Sequence, residues 1–280
     1  MDDKDETVTG VETQVSGTIF DKTDVEIVRK RVKAHWTDWA IKYGRDLRAT
    51  THASSIKRLE VHALQRAIER SLPPHSAHVL EVGCGNGQNI AALAALFEDY
   101  SWTGVDYIPE MISAAKETCP GATFHVADVM DLPDIGPYDV VFTDRMLINL
   151  GSVAMQKQAI DNLASLTQGS LILIENSRQT KDAQNDLREA IGLPRRRDAE
   201  FNLFLDDEVV IPHLKSLFST VEVEDFGSLH DILLYVLLPA TLGDVGHYDN
   251  PIMQTVTDLC TKVSIPAGHF GQNRLYHCRR

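Results

Sequence analysis

The chain has 280 residues, of which 43% are apolar and 24% charged, a balance that fits one large α/β domain with additions or two small ones. A formal net charge of −13 argues against a nucleic-acid partner, because phosphate binding needs clustered lysine and arginine. With no apolar run near the roughly 20 residues that cross a bilayer, no apolar core of a secretory signal and no paired cysteine spacing, we expect a cytoplasmic protein without a membrane partner or a bound metal.

Two helices are predicted before the first strand. Residues 1–20 are polar and acidic without periodicity, which predicts a disordered tail. Apolar residues then recur at helical intervals from a capping box at Thr23 to a stop at Gly44, and again from Ser54 to the proline pair at 73–74. Residues 21–77 are therefore assigned to an N-terminal helical cap.

From His78 onward, short apolar runs alternate with helical patterns, which is typical of βαβ units around a parallel sheet. The predicted strands are His78–Val82, Trp102–Val105, Thr123–Ala127, Tyr138–Thr143, Ser170–Glu175, Val221–Asp225 and Asn273–Cys278. The predicted helices are Gln88–Glu98, Pro109–Thr118, Ala154–Thr167, Asp207–Leu217, Leu229–Leu238 and Pro251–Val263. Residues 78–280 are thus predicted to form the core, with a helical insertion at about 229–265.

A glycine-rich loop follows the first predicted strand, in Glu-Val-Gly-Cys-Gly-Asn-Gly at 81–87. Glycine at Gly83 and Gly85 allows a sharp turn and lets a ligand approach the main chain closely. The third glycine comes one residue earlier than in the dinucleotide-binding pattern. Glu81 beside the loop is unfavourable for a pyrophosphate but suits a ligand that carries ammonium or sulfonium charge.

Acidic residues close the next two strands. Asp106 ends the second strand, where a carboxylate can accept hydrogen bonds from both hydroxyls of a ribose. Asp128 follows the third strand, where it can bind the amino group of an adenine. Because ligands of open α/β sheets bind at the carboxyl ends of the strands, the acids and the glycine loop predict one shared site.

Four segments resemble the successive motifs of class I S-adenosylmethionine (SAM)-dependent methyltransferases: the glycine loop, Gly-Val-Asp at 104–106, Ala-Asp-Val at 127–129 and Tyr-Asp-Val-Val-Phe-Thr-Asp at 138–144. The resemblance covers roughly residues 78–176. It implies a Rossmann-like, seven-stranded, mostly parallel sheet with an antiparallel last strand, helices on both faces and a helical lid from the flanks. It also implies that SAM is the cofactor.

The resemblance assigns the methionine part of SAM to Gly83, Gly85 and their neighbours, the ribose to Asp106, and the adenine to Asp128 and Val129. Tyr43 and Arg48 follow the first helix, and we expect them to close over the cofactor carboxylate. The complete set of expected cofactor-binding residues is Tyr43, Arg48, Glu81, Gly83, Gly85, Asp106, Tyr107, Met111, Asp128 and Val129.

Candidates for the chemistry follow the fourth strand and lie in the C-terminal flank. Asp144 and Arg145 end the fourth strand beside the expected methyl group. Many relatives carry a Glu-His pair in the next turn, where this chain has Ile148 and Asn149. His230, next to Asp231, and His269, before the last strand, are the candidates for a general base, because histidine titrates near neutrality. Asp144 with Glu175 would imitate a magnesium site, but the sequence predicts no metal dependence.

The flanks loosely resemble methyltransferases of bacterial glycan and small-molecule tailoring pathways. We therefore expect a small-molecule acceptor, with a sugar-like hydroxyl as the first hypothesis and an anionic group suggested by Arg145, Arg178 and the arginines at 195–197. The alternatives are an N-methyltransferase, a non-catalytic SAM-binding scaffold and a nicotinamide-dependent oxidoreductase, the last disfavoured by the glycine spacing. The apolar stretch Leu229–Leu238 seals the acceptor pocket or forms a homodimer contact.

Overall fold

The computed structural model describes residues 22–71, 76–133, 135–197, 201–263, 265 and 267–280. The predicted acidic tail at 1–20, the capping side chain of Thr23 and the proline pair at 73–74 lie outside the described residues and side chains.

Seven strands form one sheet in the order β3-β2-β1-β4-β5-β7-β6. The strands are β1 (His78–Val82), β2 (Ser101–Asp106), β3 (Thr123–Val126), β4 (Tyr138–Asp144), β5 (Thr167–Asn176), β6 (Thr220–Asp225) and β7 (Asn273–Arg279). Strands β1 to β5 pair in parallel, whereas β7 lies antiparallel between β5 and β6. The predicted mostly parallel sheet with an antiparallel last strand is confirmed.

Helices cover both faces of this sheet. Their bounds are α1 (Lys22–Tyr43), α2 (Ser54–Ser71), α3 (Gln88–Ala94), α4 (Pro109–Thr118), α5 (Val153–Leu166), α6 (Arg178–Ala190), α7 (Asp207–Leu217), α8 (Ser228–Ile232), α9 (Leu238–Leu242) and α10 (Pro251–Lys262). A π-turn at Leu233–Leu237 joins α8 to α9. One apolar core packs α5 and α7 on the sheet, and a second core packs α2, α3 and α4 on the other face.

The apolar stripe of α2 belongs to the second core and not only to a lid. Ala63, Leu64, Ala67 and Ile68 are fully buried against the sheet face that carries Phe142. The first turns of the same helix reach the carboxyl edge of the sheet. The N-terminal flank therefore combines a core helix with the cavity wall contributed by α1.

Helix α6 is the one described long helix that the apolar periodicity does not predict. Its buried face is polar, with Thr180, Gln184, Asn185 and Arg188 almost inaccessible to solvent. Hydrogen bonds replace apolar packing there, since the Arg188 Nε donates to the Pro194 carbonyl at 2.7 Å. A periodicity of apolar residues detects helices that pack on a core, and this one packs through its polar groups.

The sheet order creates a crevice at the carboxyl ends of β1 and β4. From β1 the chain proceeds to β2 and β3 on one side, and β4 then starts the other half on the opposite side. The loops after β1 and β4 therefore diverge, and ligands of open α/β sheets bind at such a switch point. Among the described residues, no helix is both long enough and apolar enough to cross a bilayer.

Candidate functional site

A cavity of about 560 Å³ opens at the switch point between β1 and β4. Helix α1 and the first turns of α2 form one wall, and another is formed by Arg196, Phe201, Asn202, Tyr235 and Tyr248. Most of the predicted site residues line it: Glu81, Gly83, Gly85, Asp106, Tyr107, Met111, Asp128, Val129, Asp144 and Arg145. The topology thus brings the loops after four strands into one chamber.

The glycine loop lines the cavity and packs closely against neighbouring side chains. The Gly83 and Cys84 amides donate to the Val105 carbonyl at 2.7 and 3.0 Å, which fixes the turn against β2. Gly83 adopts a φ of +78° and Gly85 one of +52°, conformations that strain other residues. A Cβ on Gly83 would lie 2.4 Å from the Met146 Cγ, so the loop depends on glycine.

The carboxylate of Asp106 is anchored by main-chain amides. Its Oδ2 accepts from the Gly85 amide and its Oδ1 from the Ile108 amide, both at 2.9 Å. Burial raises the pKa of Asp106 to about 6, against the lowering effect of these hydrogen bonds. Each carboxylate oxygen can accept a further bond, and the side chain lines the cavity. Asp106 is therefore oriented for two vicinal hydroxyls.

Glu81 has an unpartnered oxygen at the base of the cavity. The Asn89 Nδ2 donates to its Oε1 at 2.7 Å, whereas its Oε2 is buried without a hydrogen-bond partner. Burial raises the pKa of Glu81 well above its usual range. Because a buried polar atom without a partner is costly, this oxygen fits a ligand that brings a cation or a hydrogen-bond donor. The ammonium group of SAM has that chemistry.

A buried charge cluster of Lys57, Glu60, Asp144 and Arg145 joins α2 to the end of β4. The Lys57 Nζ lies 2.5 Å from Asp144 and 2.9 Å from Glu60. The Arg145 Nε lies 2.8 Å from Glu60. The side-chain amide of Asn273, at the start of β7, also donates to Glu60, at 2.6 Å. The cluster therefore locks α2, β4 and β7 together under the cavity.

Asp144 keeps one oxygen for a ligand. Burial raises its pKa, but the Lys57 ammonium and the Arg145 guanidinium outweigh burial and hold the pKa below its usual range. Its Oδ2 accepts from Lys57 and, at 3.0 Å, from Asn89, whereas its Oδ1 is buried without a hydrogen-bond partner. An ionised carboxylate thus faces the centre of the cavity, next to Arg145 with its positive φ of 57°.

Helix α1 contributes Arg29 to the predicted adenine end. The Arg29 guanidinium donates to the Asp128 carboxylate, whose Oδ1 accepts from the Met130 amide at 2.9 Å. The Val129 carbonyl accepts from the Asn162 side chain at 2.8 Å. Asp128 is therefore held both by its own turn and by the cavity wall.

Three predicted residues lie elsewhere. His230 is fully buried, with its Nδ1 2.8 Å from Asp231 and its Nε2 3.0 Å from Ser55, and it is absent from the cavity wall. Arg48 is exposed and pairs with Asp46 at 2.8 Å. Tyr43 packs on α4 rather than lining the cavity. His230 was predicted from the titration of histidine, and Tyr43 and Arg48 from their position after the first helix. Neither signal reports which other groups these side chains contact.

Several cavity residues had no place in the sequence-based site. They are Arg29, His35, Trp36, Trp39, His52, Lys57, Asn89, Phe201, Tyr235 and Tyr248; Arg196 also lines the cavity and belongs to the arginines at 195–197 that were predicted to contact an anionic group. Lys57 had a detectable signal, because it and Glu60 interrupt the apolar stripe of α2. Trp36 also had one, since its helical spacing predicted packing; its Nε1 donates to the Asn149 Oδ1 at 3.2 Å. For the other residues of this list, no local sequence pattern indicated a place in the site.

The carboxylate of Glu175 is occupied by the main chain. It accepts hydrogen bonds from the amides of Met146, Leu147 and Ile148 at 3.0, 2.8 and 3.3 Å. Burial raises the pKa of Glu175 to about 8. Over the described ranges, no group of three or more His, Cys, Asp or Glu side chains is arranged to hold a metal ion.

Residues 79–169 match the family model described as a methyltransferase domain. A trans-aconitate 2-methyltransferase of Methylobacterium nodulans is 34% identical over 71 residues, covering 25% of this chain and 28% of that protein. The trans-aconitate 2-methyltransferase of Acidovorax ebreus is 30% identical over 95 residues, covering 32% of this chain and 36% of that protein. The chain thus spans about a third of the length of these curated relatives.

Among solved structures, the SAH-bound magnesium protoporphyrin IX methyltransferase of Synechocystis PCC 6803 superposes with a TM-score of 0.54 at 17% identity. The superposition covers 93% of this chain and 100% of that protein, and at this identity it supports the fold alone. The domain match, the strand order and the strand-end residues point to the same family. The chain therefore contains a segment similar to a methyltransferase domain, at residues 79–169, and has a Rossmann-like methyltransferase fold.

Proposed function

We propose that this chain is a SAM-dependent methyltransferase that acts on a small-molecule acceptor. The observation that carries the proposal is the set of buried carboxyl groups at the ends of β1 and β2, where the Glu81 Oε2 lacks a partner beside the glycine loop that lines the cavity. The curated relatives are named for the methylation of trans-aconitate, which supports a small molecule as acceptor.

The residues of the β1–β3 side fit the three parts of SAM. Glu81 would accept the ammonium group, the Gly83 and Gly85 main chain would lie against the methionine part, and Asp106 would accept both ribose hydroxyls. Asp128 and Val129 would flank the adenine. When bound, SAM supplies an electrophilic methyl group on a positively charged sulfur.

The chain's own contribution is to hold the acceptor in line and to exclude water, because alignment supplies much of the rate of a displacement. The Asp144 Oδ1 lies 3.6 Å from the Arg145 Nε but has no hydrogen-bond partner, so it can accept a hydrogen bond from an acceptor hydroxyl. Amide side chains at Asn176, Asn202, Gln272 and Asn273 line the same cavity. Amides donate and accept hydrogen bonds, so they suit a hydroxyl-rich, sugar-like acceptor with oxygen as the methylated atom.

A hydroxyl acceptor needs a base, and the cavity offers His35 in place of His230. His35 lines the cavity from α1, and its ring packs 4.9 Å from the rings of Trp39 and Phe201. Burial lowers the pKa of His35, so its imidazole is uncharged at neutral pH and can accept a proton. We propose that this side chain deprotonates the acceptor while Asp144 orients it.

The test is transfer from methyl-labelled SAM to a panel of sugars, nucleotide sugars and amino sugars, followed by mass spectrometry. We expect a methylated hydroxyl product, a slower turnover of His35→Gln with a changed pH profile, and an unaltered cofactor affinity of that variant. A methyl label found on nitrogen would contradict the oxygen acceptor and would indicate an amine acceptor instead. Tight SAM binding without transfer to any extract fraction would support a scaffold role instead.

The proposed homodimer rests on apolar side chains exposed in the C-terminal flank. These are Leu237, Leu242, Val245, Ile252, Leu259 and Val263. Sedimentation of the purified chain across a concentration series tests it, and a single monomeric species at every concentration would contradict it.

A further inference from the structure

The two sides of the cavity carry opposite chemistry. Over β1, β2 and β3, the wall presents the carboxylates of Glu81, Asp106 and Asp128. Toward β5 and β7, the wall presents amides, aromatic rings and the guanidinium of Arg196. Because the sheet order separates these halves, a ligand that spans the cavity meets carboxyl groups at one end and the Arg196 guanidinium at the other.

Arg196 is held in a fixed position. Its Cζ lies 3.5 Å from the centre of the Tyr235 ring, which is a close cation–π contact. Its Nη1 donates to the Gln184 Oε1 at 2.8 Å, and its amide donates to the Asn185 Oδ1 at 2.8 Å. A guanidinium has five N–H donors in a rigid fork, so this anchoring leaves donors for a ligand.

The polar face of α6 supports this arrangement from behind. The buried Arg188 donates to the Pro194 carbonyl, two residues before Arg196, and also to the Tyr235 carbonyl. One side chain thereby holds both the segment that carries Arg196 and the ring on which Arg196 stacks. Such pre-arrangement lowers the entropy that binding would otherwise cost.

The other cations of the cavity are already neutralised by carboxylates. Arg29 pairs with Asp128, and Lys57 and Arg145 both pair with Glu60. Arg195, the neighbour of Arg196, is bound on the surface by Asp182, Asp186 and Glu189. Within the ranges that the structure describes, no carboxylate pairs with Arg196.

We propose that Arg196 is a specificity residue that binds an oxyanion of the acceptor, a carboxylate or a phosphate, through its guanidinium fork. The inference rests on the proposed methyltransferase function and narrows its substrate class to anionic small molecules. Bidentate pairing of arginine with a planar carboxylate or a phosphate is among the stronger charge-assisted contacts. Phe201 and Tyr248, which line the same half, would pack on the body of that molecule.

The test is a calorimetric titration of the full chain, with and without saturating SAH. The probes are benzoate, tricarballylate and glucose 6-phosphate, with benzamide and glucose as neutral counterparts. We expect at least one anion to bind more tightly than its neutral counterpart, and Arg196→Gln to weaken that anion by about tenfold or more. Arg196→Lys keeps the charge without the fork and should be intermediate. Arg195→Gln should bind like the wild type.

Several outcomes would overturn the inference: no probe anion binds, the neutral counterparts bind equally well, or Arg196→Gln binds the anion like the wild type. The carboxylate and phosphate arms identify which oxyanion is preferred. SAH binding by Arg196→Gln reports that the variant is folded. Failure of SAH to bind the wild-type chain would count against the proposed function, whereas SAH binding without an Arg196-dependent anion would refute this inference alone.

Discussion

The two halves of the cavity are built in different ways. The cofactor half uses short segments directly after β1, β2 and β3, and its key groups are held by their own turns, as when the Gly85 amide binds Asp106. The acceptor half draws residues from α1, the π-turn and β7, together with Arg196 after α6, and these lie far apart in the chain. Arg196, for example, depends on Gln184 of α6 and on Tyr235 of the π-turn.

This difference separates residues whose positions follow from the fold from residues whose positions depend on individual side-chain contacts. Any sheet of this order places the ends of β1 to β3 around one ligand, so the cofactor half follows from main-chain geometry. The acceptor half depends on individual side-chain contacts between distant elements. The fold therefore supports an assignment of the cofactor more firmly than an assignment of the acceptor.

The largest expected effect comes from the charge cluster at the border of the two halves. Lys57→Met leaves the carboxylates of Glu60 and Asp144 buried with one cation fewer, and breaking a buried ion pair in this way costs about 3–5 kcal/mol. Urea unfolding at neutral pH measures the loss. Arg58→Met is the matched control, since Arg58 pairs with Asp258 in solvent and should have little effect. Equal losses in both variants would contradict a structural role for the cluster.

The pH dependence of SAH affinity tests whether Asp106 belongs to the cofactor half of the cavity. In the proposed cofactor site, the ribose hydroxyls would donate to the ionised form of Asp106, whose pKa is raised to about 6. SAH affinity should therefore be constant above this pH and fall by up to about tenfold per pH unit below it. Calorimetry measures the profile. Asp106→Asn should bind weakly and lack this transition, and an identical profile in the variant would assign the titration to another group.

The same carboxyl has the opposite effect on the stability of the cofactor-free chain. A folded-state pKa raised above the unfolded value of about 3.9 means that ionisation costs stability. The contribution of Asp106 is therefore fully present below the unfolded pKa and is lost as the pH rises through about 6. Unfolding of the ligand-free chain, compared with Asp106→Asn, should show stability falling as cofactor affinity rises.

The smallest expected effect concerns α1. Arg29→Gln removes the ion pair with Asp128 and should loosen the wall over the proposed adenine end. The side chains of Arg29 and Asp128 are 41% and 32% exposed. Exposed pairs contribute little, so SAH affinity should fall by only about two- to five-fold, and added salt should reduce the difference. Lys30→Gln, whose partner Glu26 lies on the outer surface of α1, serves as the control. A loss as large as that of an Asp106 variant would place α1 among the principal cofactor contacts.

The sequence predicted the sheet and the cofactor half because both depend on local patterns. Apolar runs of strand length gave the seven strands, and glycine or an acid at each strand end gave Gly83, Glu81 and Asp106. Helix α6 was missed because its buried face is polar. Arg196, which α6 positions, was predicted only as one of three neighbouring arginines that could contact an anionic acceptor. His230 next to Asp231 has the composition of a base, but its ring is committed to Ser55 of α2, a contact between residues 175 positions apart in the chain.

The most direct test of the central claim is a calorimetric titration of SAM, SAH and NAD into the wild-type chain, Asp106→Ala and Asp99→Ala. Asp106 ends β2, whereas the exposed Asp99 precedes the same strand at the opposite edge of the sheet. We expect SAM and SAH to bind the wild type and Asp99→Ala with the same affinity. Asp106→Ala should weaken the binding of both by about 100-fold, and NAD should not bind. Binding of NAD instead, or equal SAH affinity in Asp106→Ala and the wild type, would contradict the central claim.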